Sequence, residues 1–196
     1  MLAASVVPSQ YQSIVLGQPF TLASAVSRVP TQHGIAFQHA VSNGQLNIGA
    51  SAGFGSVIAP GNTASVFMRI YVSTLGTRQA YFADWNASGA QESFVLELIA
   101  TNQYRASCTD AGGTYRIVTG GTVTVGWHDI LLVHTPGTGH TLYVDGVEIG
   151  SVAYTLNAKA GSALRIGGAG LYNLIGFPGR VAVCHIFKGD VRDHLA

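Results

Sequence analysis

Apolar and polar residues alternate along much of the chain, and a helical spacing of apolar residues is nearly absent. The clearest alternation lies at residues 65–73, where aliphatic side chains share one face and Phe67, Arg69 and Tyr71 share the opposite face. A period of two is typical of a half-buried β-strand, so the pattern predicts an all-β protein. Further strands are predicted at residues 79–83, 93–99, 104–108, 114–118, 129–134, 163–166 and 180–187, with weaker ones at residues 13–16, 20–23, 34–37 and 45–48.

A hairpin is predicted within residues 141–150. Its centre is the Asp145-Gly146 pair, which accepts the positive φ angles of a two-residue type I′ turn, and alternating residues flank it on both sides. Many short strands separated by turn residues predict a sandwich or a barrel. Because no proline-rich or charged linker interrupts the chain, we expect a single domain over residues 1–196, with residues 1–50 forming an extra strand or arm region.

Three blocks of sequence, in this order, resemble the signature of laminin-G-like domains. The first is the Trp-His pair that starts at Trp127, followed by Leu-Tyr-Val-Asp-Gly at residues 142–146. The second and third, residues 164–168 and 177–187, are similar to the last two strands of that family. The resemblance covers about residues 55–190. It implies a concanavalin A-like jelly roll of two antiparallel sheets packed face to face, with Trp127 in the core and the hairpin at the sandwich edge.

The carboxylates do not fit a glycosidase, although the superfamily that the chain resembles includes glycoside hydrolases as well as lectins and adhesion modules. A glycosidase needs two opposed carboxyl groups across a cleft. Glu92 and Glu97 are five residues apart, which places them on opposite faces of one strand, and we expect Glu97 at the rim or on the sheet surface. The Gly-x-Ser-x-Gly pattern at residues 49–53 lacks the following helix that a nucleophile elbow needs. We therefore predict no catalytic residues and no enzymatic activity.

Charge and hydropathy argue against nucleic-acid and membrane partners. Charged residues make up 10% of the chain and the formal net charge is +1, whereas a phosphate backbone is bound by a strongly basic surface. No apolar run approaches the roughly 18 residues of a membrane span. No Lys or Arg precedes Arg28, so a secretion signal with a positive start is not expected either.

The two cysteines, Cys108 and Cys184, leave two alternatives open. They form one disulfide, or they are two buried thiols that pack as small apolar side chains. The missing secretion signal favours the thiols, because disulfides form in oxidising compartments.

No metal or other cofactor is predicted, with calcium kept as an alternative. His128 and His134 are six residues apart on one strand, roughly 20 Å, which is too far for one ion. The seven histidines are therefore expected to be separate surface or hydrogen-bonded groups. Laminin-G-like modules often bind calcium at the rim, and Asp84 and Asp110 are the candidates that this resemblance suggests. Isolated loop aspartates are more often turn formers.

A glycan site is predicted where an aromatic ring lies beside amide and carboxyl groups, since sugars present both C–H faces and hydroxyl groups. One short segment that follows the strand at residues 79–83 carries all three group types. The alternative is that its tryptophan is a core or interface aromatic. The candidate ligand-binding residues are Asp84, Trp85, Asn86, Tyr104 and Tyr172.

The composition favours a non-enzymatic module that binds or assembles. Few charges and many Gly, Ser, Thr and Ala residues resemble extracellular and virion β proteins. Without a secretion signal, we expect a bacteriophage virion protein, a capsid decoration, fibre or tail component similar to known laminin-G-like phage modules. Its partners would be other virion proteins or further copies of itself, as a closed oligomer such as a trimer, at the virion surface. The alternative is an extracellular, lectin-like module that binds surface glycans.

Overall fold

The computed structural model describes residues 21–22, 26–39, 46–50, 61–86, 91–155, 163–168 and 176–195. In this part of the chain nearly every regular element is a strand, and one short helix, α1 (Arg192–Leu195), follows the last strand. The strands are β1 (Thr21–Leu22), β2 (Val26–Thr31), β3 (Gly34–His39), β4 (Leu46–Ala50), β5 (Ala64–Val72), β6 (Gln79–Asn86), β7 (Gln91–Ile99), β8 (Gln103–Thr109), β9 (Tyr115–Thr122), β10 (Gly126–Thr135), β11 (Gly139–Val144), β12 (Val147–Val152), β13 (Ala163–Ile166) and β14 (Arg180–Lys188).

The strands form two seven-stranded antiparallel sheets. Sheet 1 has the order β12-β11-β10-β5-β14-β3-β2, and sheet 2 has the order β1-β4-β13-β6-β7-β8-β9. The predicted strands at residues 34–37 and 45–48 are β3 and β4, which join different sheets, and the one predicted at residues 13–16 lies outside the described residues. None of the described helices is long and apolar enough to cross a membrane.

One apolar core lies between the two sheets. The aliphatic face predicted for β5 is confirmed, since Met68, Ile70 and Val72 have no exposed surface. They belong to one buried cluster with residues of sheet 2 such as Phe82 and Leu96. Burying each large apolar side chain contributes roughly 1.5–3 kcal/mol, so this contact holds the two layers together. The fold is the predicted all-β jelly-roll sandwich.

Trp127 does not lie in this core, and the prediction that it fills the core is wrong. In β10 the core face is taken by Ile130 and Leu132, which are 0% and 1% exposed. Side chains alternate along a strand, so Trp127 and Asp129 lie on the other face of sheet 1. Trp127 is half-buried there, directly across from Tyr71 of β5.

The predicted hairpin joins β11 to β12 at the edge of sheet 1. Asp145 and Gly146 have φ angles of 50° and 79°, as a type I′ turn requires. The Asp145 carboxylate also accepts a hydrogen bond from the Asp129 backbone N–H at 2.8 Å and pairs with His128 Nδ1 at 2.8 Å. The turn therefore fixes the start of β10 as well as its own strands.

Replacing Asp145 with alanine is expected to lower the free energy of unfolding by about 2 kcal/mol. Alanine is disfavoured at positive φ, and both side-chain hydrogen bonds are lost. Asp145→Asn tolerates the same φ and keeps one acceptor, so it is expected to cost roughly half as much. Urea unfolding at pH 7 measures both, and equal stability of the alanine variant and the parent protein would contradict this role for the turn.

Candidate functional site

Of the five residues predicted to bind a glycan, Tyr104 is the one whose side chain the structure describes. Asp84, Trp85 and Asn86 form the end of β6, where their backbone pairs with β7, but their side chains lie outside the described part of the structure. Tyr172 also lies outside the described residues. Tyr104 is only 1% exposed because it faces the core from β8. Its position does not support a role in contacting a sugar.

Asp110 forms a turn, and its carboxylate is fully engaged by donors. Its oxygens accept hydrogen bonds from the backbone N–H groups of Gly112 and Thr114, at 2.9 and 2.8 Å, and from Arg116 Nε at 2.7 Å. These bonds, that from Thr114 first, lower the pKa of the Asp110 carboxyl group. The position does not support calcium binding at Asp110, and the side chain of Asp84 is not described. Among the described residues no group of three or more His, Cys, Asp or Glu side chains is arranged to hold a metal ion.

Glu97 lies on the surface of sheet 2, one of the two positions expected for it, but its side chain is buried there. The residue has no exposed surface, because two arginines close over it on the outer face of sheet 2. Arg78 Nε and Arg105 Nε each donate to its carboxylate at 2.5 Å. The groups that contact Glu97 are therefore cations, whereas a glycosidase needs a second carboxyl group opposite.

Cys108 and Cys184 do not form a disulfide with each other, the alternative that the sequence favoured. Cys108 is buried in the core, with its Sγ 3.9 Å from His140 Nδ1. Cys184 lies on β14, and burial raises the pKa of its thiol to about 12.

A histidine pair lies inside the sandwich. His134 and His140 are cross-strand neighbours in β10 and β11, and each is 1% exposed. The Tyr154 hydroxyl group lies 3.0 Å from His140 Nδ1 and 3.5 Å from His134 Nδ1, and the Phe94 ring packs against both imidazoles. Burial lowers the pKa of both histidines, that of His140 to about 4. The core therefore holds two uncharged imidazoles at neutral pH.

The outer face of sheet 1 carries a cluster of aromatic and charged side chains that sequence reasoning missed. Arg180, Tyr71 and Trp127 lie in one cross-strand row over β14, β5 and β10. The Tyr71 and Trp127 ring centroids are 5.4 Å apart, and Arg180 Cζ lies 5.1 Å from the centre of the Tyr71 ring. We call this set the Trp127 cluster, which comprises His33, Arg69, Tyr71, Trp127, Asp129 and Arg180.

The next cross-strand row supplies a fixed ion pair. Arg69 and Asp129 are opposite one another in β5 and β10, and Arg69 Nε and Nη2 donate to the two Asp129 oxygens at 2.6 and 2.5 Å. Hydrogen bonding to Asp129 raises the pKa of Arg69. Both side chains are 34% exposed. Polar groups held in one orientation are thus open to solvent beside the two rings.

The turn between β2 and β3 places His33 against this surface. Thr31 Oγ1 accepts a hydrogen bond from the His33 backbone N–H at 3.1 Å and donates to the Gly34 carbonyl at 2.9 Å, while Gly34 takes a φ of 94°. The His33 imidazole packs edge-on against Trp127, with centroids 4.8 Å apart, and its Nδ1 lies 3.4 Å from Arg69 Nη1. One face of sheet 1 therefore combines three rings, two guanidinium groups and a carboxylate.

This arrangement has the groups to bind a polar, ring-shaped ligand. Partly exposed aromatic rings pack against C–H surfaces, and a neighbouring guanidinium and carboxylate donate to and accept from hydroxyl groups. The sequence did hold a signal for it. Asp129 is two residues after Trp127 and so shares its face, and Arg69 and Tyr71 were already assigned to the polar face of β5.

Comparison with solved structures shows the fold. The binding domain of Paraclostridial Mosquitocidal Protein 1 superposes with a TM-score of 0.70 and 14% identity, covering 96% of this chain and 49% of that one. The receptor binding domain of botulinum neurotoxin C/D mosaic serotype gives 0.70 and 14%, covering 89% and 44%. The chain thus spans about half the length of these two structures.

Domain 4 of AbnA, a GH43 extracellular arabinanase from Geobacillus stearothermophilus solved in complex with arabinotriose, is similar over nearly its whole length. Its TM-score is 0.66 at 14% identity, covering 91% of this chain and 88% of that domain. A search of curated proteins found no match. A laminin-G family model, described as the concanavalin A-like lectin/glucanases superfamily, matches residues 44–192. The chain belongs to the concanavalin A-like lectin/glucanase superfamily.

Proposed function

We propose that this domain is a non-catalytic carbohydrate-binding module and that the Trp127 cluster is its binding site. The observation that carries the proposal is the position of Trp127, which lies half-buried on the outer face of sheet 1 beside Tyr71 instead of filling the core. A large ring on the surface costs hydration free energy unless it meets a ligand or a partner. Two adjacent rings suit the C–H faces of a sugar.

The polar groups of the cluster suit sugar hydroxyls. Because Arg69 and Asp129 hold each other through two hydrogen bonds, a ligand meets them already ordered and loses little side-chain entropy on binding. At 34% exposure each still offers free donor or acceptor positions. Domain 4 of the arabinanase, which was solved with arabinotriose, has the same fold, and this likeness supports the class of ligand without identifying it.

The absence of catalysis is part of the proposal. Glu97, the carboxylate considered for glycoside hydrolysis, is covered by Arg78 and Arg105, which both pair with it. A general acid needs a proton and a nucleophile needs access to the sugar. Glu97 has no exposed surface, so it does not meet these conditions.

Replacing Trp127 with alanine is expected to weaken glycan binding at least about tenfold, or about 1.4 kcal/mol, because central aromatic residues carry much of a binding energy. A glycan array selects the ligand, and isothermal titration calorimetry then measures its affinity. Tyr115→Ala is the matched control, since Tyr115 is an aromatic residue that is 45% exposed on β9 of the other sheet. Unchanged binding by the Trp127 variant, or loss of binding in the Tyr115 variant, would place the site elsewhere.

A second proposed function is the structural role in a virus particle that the composition favours. Its supporting observation is a set of exposed apolar side chains, between 46% and 67% exposed, which suits contacts with other virion proteins or with further copies of the chain. Light scattering during size-exclusion chromatography tests it. A closed oligomer such as a trimer is expected, and a monomer at tens of micromolar concentration contradicts self-assembly. The exposed apolar side chains that support this second proposal are Ile35, Ile117, Val125 and Val147.

A further inference from the structure

We propose that the Trp127 cluster selects sugars that carry a carboxylate, and that Arg180 is the residue that recognises it; this inference rests on the proposed function. The two arginines of the cluster differ in their partners. Arg69 is neutralised by Asp129 through two short hydrogen bonds. Arg180 has the Tyr71 ring beneath it, and among the described residues no carboxylate lies within ion-pair distance of its guanidinium group. The cluster therefore has an excess of one positive charge on Arg180.

Arg180 is placed to donate hydrogen bonds to a planar anion. Arg180 Cζ lies 5.1 Å from the centre of the Tyr71 ring, within cation–π distance, and this contact holds the guanidinium group within the cluster. A guanidinium edge matches a carboxylate with two parallel hydrogen bonds, a match that hydroxyl groups do not reproduce. Because Arg180 is half-buried, such a bond is less screened by water and salt than one at a fully exposed lysine.

The spacing along the row of Arg180, Tyr71 and Trp127 suits an acidic sugar together with the next sugar of the same oligosaccharide. Arg180 and Trp127 are both direct cross-strand partners of Tyr71, so their backbones are two strand spacings apart, roughly 10 Å. One sugar ring then lies on the indole of Trp127, while the carboxylate of the adjacent acidic sugar reaches Arg180. Gln38 of β3 is the next residue in the row, opposite Arg180, and is half-buried with an amide that can bind a hydroxyl group.

Two pairs of ligands test the contribution of the carboxylate, the first by removing its charge and the second by removing the acidic sugar that carries it. The first pair is trigalacturonate and its methyl ester, and the second is sialyllactose and lactose. In at least one pair we expect the acidic member to bind about tenfold more tightly, as a charge-assisted bidentate hydrogen bond allows. Raising the salt concentration from about 0.05 to about 0.5 M is expected to weaken binding of the acidic member more than that of the neutral member.

Arg180→Gln is expected to remove the preference for the acidic sugar, so that trigalacturonate and its methyl ester bind the variant with the same affinity. Arg28→Gln is the control, since Arg28 is an exposed arginine on the same sheet whose ring contact is with Phe37, outside the cluster. The inference is overturned if neither acidic sugar is preferred or if the Arg180 variant keeps the preference. If neutral sugars bind equally well and Trp127→Ala abolishes that binding, the proposed function stands and only the acidic selectivity fails. If Trp127→Ala changes the binding of no sugar, the proposed function fails as well.

Discussion

Replacing Arg105 with methionine is expected to lower the free energy of unfolding by about 3 kcal/mol, the cost of breaking a buried ion pair from one side. Glu97 has no exposed surface, and its charge is compensated by Arg105 and Arg78. Arg105 is itself only 23% exposed, whereas Arg78 is 44% exposed. Without Arg105 the buried carboxylate keeps only Arg78, the more exposed of its two cations, whose contact with Oε1 is the longer one at 3.2 Å.

Urea unfolding of the Arg105→Met variant at pH 7 measures this cost. Arg192→Met is the matched control, because Arg192 pairs with Asp190 near the surface and such pairs contribute at most about 1 kcal/mol. Adding Glu97→Gln to the Arg105 variant removes the uncompensated charge and is expected to recover part of the stability. A loss below about 1 kcal/mol for Arg105→Met would mean that Glu97 is far better solvated than its burial indicates.

Acidification from pH 7 to pH 4 is expected to destabilise the fold by about 3 kcal/mol through His140 alone. The pKa of His140 is lowered to about 4 in the folded protein by burial, from an ordinary value of 6.5. Between these two values the unfolded chain binds the proton and the folded chain does not, so unfolding becomes more favourable as the pH falls. The stability that depends on an uncharged His140 is fully present above pH 6.5 and is lost as the pH falls to about 4. The lowered pKa of His134 acts in the same direction.

The His140→Gln variant separates this effect from other titrations. Glutamine does not titrate and can still accept a hydrogen bond from the Tyr154 hydroxyl group, so its stability between pH 7 and 4 is expected to fall less steeply. The pKa values of Asp110 and Asp190 are lowered from 3.8, so most of their contribution is lost at pH values below 4. Thermal melts across this range test the prediction. Parallel pH profiles for the variant and the parent protein would show that His140 is not buried as an uncharged group.

The fold was predictable because its signals are local. Alternation over residues 65–73 assigned the two faces of β5, and Asp145-Gly146 located the β11–β12 turn before any tertiary contact was known. Each of these signals depends only on neighbours in sequence and on the geometry of a strand or a turn.

The sites were harder to predict because they depend on strand pairing. Glu97 is buried by Arg105, which reaches it from β8, and by Arg78, which immediately precedes β6, and no local pattern encodes that pairing. Trp127 was misplaced for a different reason. The resemblance to a family suggested a core position, although the alternation that it shares with Asp129 placed it on the polar face.

The binding claim is tested most directly by following the two indole groups of the protein separately. The chain has two tryptophans, Trp85 and Trp127, so a ¹H–¹⁵N spectrum contains two indole N–H signals, which a Trp85→Phe variant assigns. On titration with trigalacturonate or sialyllactose, the Trp127 signal is expected to shift and saturate while the Trp85 signal stays in place and the sugar remains uncleaved. A saturable shift of the Trp85 signal alone, or cleavage of the sugar, would contradict a non-catalytic site on the outer face of sheet 1.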